Sequence, residues 1–171
     1  TLSSGIEGLF RSAKVTLLRG RARITDPGCV EITGQDAGTV TADHILIATG
    51  SVPARPPIPG LELAMTSDEL LKGTDRLYRS IVIMGGGVIG AEFATFYNNL
   101  GCQVTLVEGA SRLLPTMDKE LGQNLALLLK KRGVEVLTSA MVQRVEQGEN
   151  GLVVTVEQKG KEKQVAGQVV L

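Results

Sequence analysis

Six consecutive residues, Gly85-Gly86-Gly87-Val88-Ile89-Gly90, carry the strongest chemical signal in the chain. Glycines at the first, third and sixth places suit a strand-to-helix turn that holds a dinucleotide pyrophosphate. Gly85 allows the tight turn, Gly87 leaves bare backbone for the phosphates, and Gly90 lets the helix pack on the strand. The helix start then offers free N–H groups and the positive end of its dipole. Glu108 follows about twenty residues on, where a carboxylate accepts hydrogen bonds from the adenosine ribose hydroxyls. The same charge repels a 2′-phosphate, so NAD is expected over NADP. Arg112 is the one nearby cation that argues otherwise, and Glu108 holds the better-placed position. The bland alternative is a structural glycine turn beside a solvated Glu108. A preceding strand, a following helix, a second strand and an acid at its end together favour the dinucleotide.

Other reactive residue types are sparse. Cys29 and Cys102 form neither a C-x-x-C nor a metal-ligand spacing, and His44 is the only histidine. Both cysteines read as small buried or half-buried residues, and His44 as an ordinary strand residue. No catalytic residue is assigned and no metal site is expected. Eighteen basic and eighteen acidic residues cancel to a formal net charge of zero, so bulk electrostatics recruit neither nucleic acid nor an anionic membrane. No apolar run reaches the ~18 residues of a membrane span. Thr1 to Gly20 lacks a basic start followed by a long apolar stretch, and a cytoplasmic location is expected.

The elements that must position the loop follow from local pattern. Ile6 to Ala13 reads as the tail of a helix and Lys14 to Leu18 as a short strand. Arg19 to Thr25, Cys29 to Thr33 and Thr39 to Thr41 read as a β-meander, turned at Asp26-Pro27-Gly28 and Gln35 to Gly38. His44 to Ala48 is an apolar run of the kind that a strand buried on both faces shows, ending at Thr49-Gly50-Ser51. Four of the six prolines fall in Val52 to Gly60, which reads as an extended connector. Ser67 to Leu71 suggests a short helix capped by Ser67. Ile81 to Met84 is a buried strand leading into the glycine loop, with a helix over Ala91 to Leu100. On that helix Glu92 falls in the first turn, where the dipole favours a carboxylate. Gln103 to Val107 is the next strand. Asp118 to Arg132 is an amphipathic helix with Leu121, Leu125, Leu128 and Leu129 on one face, ended by Gly133. Val134 to Leu137 is a third strand, Val142 to Gln147 and Leu152 to Gln158 form a hairpin around Asn150-Gly151, and Gln164 to Leu171 is a last strand.

At this point three segments resemble a known family. Gly85 to Glu92, Val104 to Glu108 and Leu113 to Asp118 are similar to the NAD domain of dihydrolipoamide dehydrogenases. These are class I pyridine nucleotide–disulfide oxidoreductases, as are glutathione reductase and mercuric reductase. Thr41 to Ser51 is similar to the second flavin-domain signature of that family. The resemblance implies an α/β chain with an FAD/NAD(P)-binding Rossmann-like fold, a parallel sheet and a crossover β-meander, truncated at both ends. It implies a remnant of an FAD-binding domain over residues 1–60 and an NAD-binding domain over 61–171.

The implied chemistry runs from dihydrolipoamide to a redox disulfide, to FAD and then to NAD. The implied cofactors are NAD for this chain and FAD for the full-length enzyme only. Gly85, Gly86, Gly87, Val88, Ile89, Gly90 and Glu108 would hold NAD. Val142 matches a position packing on the adenine, although a plain core valine is an equal reading. Ala22 matches a small residue near the FAD adenosine, and Thr49, Gly50 and Ser51 a turn beside FAD. Glu92 matches an acid that pairs with a lysine near the flavin, on a segment not found in this sequence. The partners implied are a dinucleotide, a lipoyl or other small disulfide substrate, and a second copy in a homodimer. No C-x-x-x-x-C and no first flavin-binding glycine loop occur, so the chain by itself is expected to hold no FAD and to be inactive. The alternatives are a related reductase acting on glutathione, mercuric ion or another disulfide, and a stand-alone NAD-binding redox sensor.

Overall fold

The computed structural model describes residues 2–73 and 76–171; Thr1, Thr74 and Asp75 lie outside it. The chain divides into two units, Thr1–Ser51 and Val52–Leu171.

In the first unit, helix α1 (Leu2–Ser12) precedes an antiparallel meander of β1 (Arg21–Asp26), β2 (Cys29–Thr33) and β3 (Gly38–Thr41). Gly28, at φ 74°, makes the tight turn after Pro27. Two expected strands are not formed. Residues 14–18 are exposed and irregular, and so are His44 and residues 46–48, with Leu46 91% exposed. A strand exists only through bonds to a neighbour. Among the described residues no strand pairs with either segment, so apolar composition alone does not make a ladder.

The second unit opens with the proline-rich connector and a 3-10 turn (Leu61–Leu63). The connector packs on the strands of this unit. Val145 N–H donates to the Pro59 carbonyl at 2.9 Å, and a Cβ on Gly60 would overlap the Val145 carbonyl oxygen. Helix α2 (Ser67–Leu71) is capped one residue earlier than expected, by Thr66. Its hydroxyl accepts from Glu69 N–H while the Glu69 carboxylate accepts from Thr66 N–H.

Then come β4 (Ser80–Met84), α3 (Val88–Asn99), β5 (Gln103–Val107), α4 (Lys119–Lys131) and β6 (Glu135–Leu137). The meander of β7 (Ala140–Gly148), β8 (Gly151–Gln158) and β9 (Lys161–Gly167) follows, and β10 (Val169–Val170) ends the order. Strands β10-β4-β5-β6 form a parallel sheet in that order, so the meander is the crossover that carries the chain from one edge of the sheet to the other.

Successive side chains on a strand point to opposite faces, and the core divides accordingly. Ile81, Ile83, Val104, Leu106 and Val136 meet Leu70, Ala94 and Leu129 from the helices. Val82, Val107, Leu137 and Val170 meet Val145, Val154 and Val156 from the meander. Ile81, Val82 and Ile83 are therefore at most 1% exposed, and a continuous apolar run is what such a strand requires. On α4 the buried face is Gly122, Leu125, Ala126 and Leu129, while Leu121 and Leu128 are more than half exposed. Hydrophobicity alone misplaced that face by about a sixth of a turn, because its centre includes a glycine.

Candidate dinucleotide-binding site

The glycine loop leaves β4 at the centre of the parallel sheet. Gly85 N–H donates to Val107 O at 2.8 Å, prolonging the β4–β5 ladder by one bond. Gly85 then adopts φ 114°, which an L side chain rarely tolerates. A Cβ on Gly86 would overlap Leu113 Cδ2 and stand 2.9 Å from Glu108 Cβ. Gly87 differs: nothing lies within 4 Å of where its Cβ would be. A Cβ on Gly90 would overlap the Gly85 carbonyl oxygen. The three spaced glycines thus meet three different demands: conformation, open space and close helix packing. Gly86 adds a fourth, contact with the next strand's acid, which motif spacing did not reveal.

Helix α3 starts at Val88, three residues earlier than expected, with Gly87 as N-cap and no side-chain cap. The N–H groups of its first turn are left for an outside acceptor. Val88 and Ile89 are exposed beside them. The early start also moves Glu92 out of the first turn, so the dipole argument for it fails. Glu92 instead lines a shallow, mostly apolar cleft with Val88, Ala91, Phe96, Leu114 and Met117.

Glu108 stands at the end of β5, half-buried. Its Oε2 accepts from Gly86 N–H at 2.6 Å and its Oε1 from Ala110 N–H at 2.6 Å. The carboxylate is thereby aimed at the glycine loop, with lone pairs remaining for further donors. Arg112 points elsewhere: its Nη2 donates to Pro115 O at 2.9 Å and to Met117 O at 3.2 Å. Met141 was not singled out by sequence; it is exposed and its sulfur would lie 2.7 Å from a Cβ on Gly109. Val142 is partly buried against the meander-side core.

On the other side of β4, the loop borders a cleft of about 480 Å3. Its walls include Pro53, Arg55 and Ile58 of the connector, Met84 to Gly90 of the loop region except Gly86, and Leu171. Leu171 extends the β10–β4 ladder through Met84 N–H to Leu171 O at 2.7 Å. The glycine loop therefore lies where the chain departs to opposite sides of one strand, β5 on one and β10 on the other. Such a crevice beyond the carboxyl ends of parallel strands is where open α/β sheets take ligands.

Ala22 on β1 and Thr49, Gly50 and Ser51 are all exposed. Cys29 is half-buried and Cys102 buried, both as free thiols, and burial pushes the Cys102 thiol up, which disfavours the thiolate. Among the described residues no three His, Cys, Asp or Glu side chains come together, and no helix is long and apolar enough to cross a membrane.

Sheet, crossover and glycine turn define a Rossmann-like α/β chain of the kind found in flavoproteins. A model of the family described as pyridine nucleotide-disulphide oxidoreductase matches residues 1–171. The dihydrolipoyl dehydrogenase of Geobacillus stearothermophilus is 36% identical over 176 residues, covering 99% of this chain and 36% of that protein. That of Acholeplasma laidlawii is 37% identical over 176 residues, covering 99% and 50%. Among solved structures, the HOCl-induced flavoprotein disulfide reductase RclA from Escherichia coli matches with a TM-score of 0.75 at 29% identity, over 96% of this chain and 38% of that one. The chain belongs to the pyridine nucleotide-disulphide oxidoreductase family. It spans between 36% and 50% of the length of these relatives.

Proposed function

We propose that this chain is the NAD-binding portion of a flavoprotein disulfide oxidoreductase, in which NAD accepts electrons that originate in dihydrolipoamide. The observation that carries this is the pairing of an open, uncapped glycine turn with a carboxylate bonded to it 2.6 Å away. In this reading the pyrophosphate lies over Gly85 to Gly90, held by the N–H groups at the start of α3. Glu108 accepts from the adenosine ribose, with Val142 and the exposed Met141 on the adenine side. The nicotinamide half enters the cleft between the loop and Leu171, whose mostly apolar walls exclude water from the ring. Bound there, NAD supplies a two-electron acceptor; the residues of this chain bind and orient it.

Residues 61–171 serve as the NAD domain in this proposal and residues 1–60 as part of an FAD domain. Ala22, Thr49, Gly50 and Ser51 belong to the FAD side in this reading, and no chemical step is assigned to them. A lipoyl substrate and a homodimer belong to the whole enzyme. The likeness to a hypochlorite-induced reductase favours one second reading, the same cofactor site serving a different disulfide or oxidised substrate.

Calorimetry on the chain tests the cofactor. NADH is expected to bind more tightly than NADPH, and Glu108→Ala to weaken NADH by about 10- to 100-fold, as loss of charge-assisted hydrogen bonds does. Tighter NADPH binding, or no effect of the substitution, overturns the assignment. The chain alone is expected to hold no FAD and to show no dihydrolipoamide-dependent NADH formation, and a stoichiometrically yellow preparation would contradict the first.

A further inference from the structure

Gly86 is gripped from two sides. Its N–H donates to Glu108, and its carbonyl accepts from Leu114 N–H at 2.8 Å. The second grip matters for any ligand of the loop, because the Gly86 carbonyl and the Gly87 N–H belong to one planar peptide. Fixing the carbonyl fixes the direction in which Gly87 presents its N–H. Leu114 does this from a left-handed conformation, φ 49°, which disfavours leucine. Neighbouring contacts hold it there. Leu113 is fully buried, and Met117 N–H donates to Leu114 O at 2.9 Å. Arg112 closes the loop with its bonds to the carbonyls of Pro115 and Met117. Its Cδ lies 3.8 Å from where a Cβ on Gly122 would be, so the stem also rests on α4. Its Nε is buried and meets no acceptor among the described residues, so the carbonyl bonds are the polar contacts that orient it.

We propose that Arg112 is a positioning residue for the dinucleotide: it clasps residues 113–117 so that Leu114 holds the Gly86–Gly87 peptide in the orientation that receives the pyrophosphate. It is not a 2′-phosphate ligand. The inference rests on the NAD reading of the loop and adds a dependence on a residue outside the motif. The test compares Arg112→Met, which keeps the stem but has no donor, with Arg112→Lys, whose ammonium can reach the carbonyls. Both are made in the full chain.

Arg112→Met is expected to weaken NADH about tenfold, and Arg112→Lys to recover most of that. A role limited to stem packing would leave the Met variant unchanged, and that result overturns the proposal. A loss of NADPH binding larger than the loss of NADH also overturns it, since that marks a phosphate ligand. A third measurement needs no variant. The Leu114 amide of the unaltered chain is expected to exchange as slowly as those of the flanking strands, and fast exchange there overturns the clasp even if Arg112→Met fails to fold. Failure of the unaltered chain to bind NADH removes the NAD reading and this inference together. Tight NADH binding that is indifferent to both variants removes the inference alone.

Discussion

Gly87 and Gly90 are three positions apart in one motif, yet the two carry opposite kinds of constraint. Gly87 has ordinary backbone angles and empty space where a Cβ would go. Gly87→Ala is therefore expected to leave the melting temperature unchanged or slightly raised, because alanine narrows the unfolded ensemble. The same methyl group would occupy the space proposed for the pyrophosphate, so NADH affinity should fall by more than about tenfold. Gly90→Ala puts a Cβ into the Gly85 carbonyl and should cost about 1–3 kcal/mol of stability as well as binding. Thermal unfolding and calorimetry on the two variants separate the cases. Equal destabilisation by both would mean that Gly87 is structural and the open space incidental.

At the scale of elements, helix α4 is placed by a glycine. A Cβ on Gly122 would overlap the Leu113 carbonyl oxygen, so the helix approaches the 113–117 loop more closely than any other residue allows. Alanine favours a helix over glycine by about 1 kcal/mol. Gly122→Ala is nevertheless expected to destabilise, because overpacking of about 1–3 kcal/mol outweighs that gain. A higher melting temperature would show that the loop yields. Strands β6 and β9 are joined by Lys163 and Glu135, 2.6 Å apart, with Thr105 also donating to the carboxylate. The lysine's hydrogen bond holds the Glu135 carboxyl below the usual carboxylate range, against a smaller opposing effect of burial. A carboxyl depressed on folding stabilises above its unfolded pKa, and that contribution is lost as pH falls through the folded value. Both side chains are nearly half exposed, so the effect stays below about 1 kcal/mol. Glu135→Gln should accordingly flatten the acid limb of a stability–pH profile and leave its neutral region slightly lower.

For the whole molecule, the two units differ sharply in what they bury. Among the described residues, Ile32 alone of the buried apolar side chains lies before Val52; the others belong to the unit that carries the glycine loop. In the first unit Leu46 and Ile47 are 91% and 68% exposed. Folding must offset conformational entropy with buried apolar area, and the first unit has little of its own. Residues 52–171 made alone are expected to fold cooperatively and to keep the NADH affinity of the full chain. In the full chain, amides of β1 to β3 should exchange faster than those of β4 and β5. Loss of folding on removal of residues 1–51 would show that the core of the second unit is not self-sufficient.

What local pattern determined was considerable. The G-x-G-x-x-G spacing, the apolar run before it and Glu108 after it placed the candidate site, because a tight turn, a doubly covered strand and a strand-end acid each constrain residue type directly. The hairpin turn and the proline connector were legible for the same reason. Apolar content misled at His44 to Ala48, which no strand among the described residues pairs, and at Leu121 and Leu128, where a glycine sets the buried face. The packing of Gly86 against Leu113 and Glu108, the approach of the connector to β7 and the commitment of Arg112 to backbone carbonyls appear in no motif. They join residues distant in sequence or depend on the shape of a loop. Only the tertiary structure decides them, since close packing is a property of which surfaces meet and not of either surface alone.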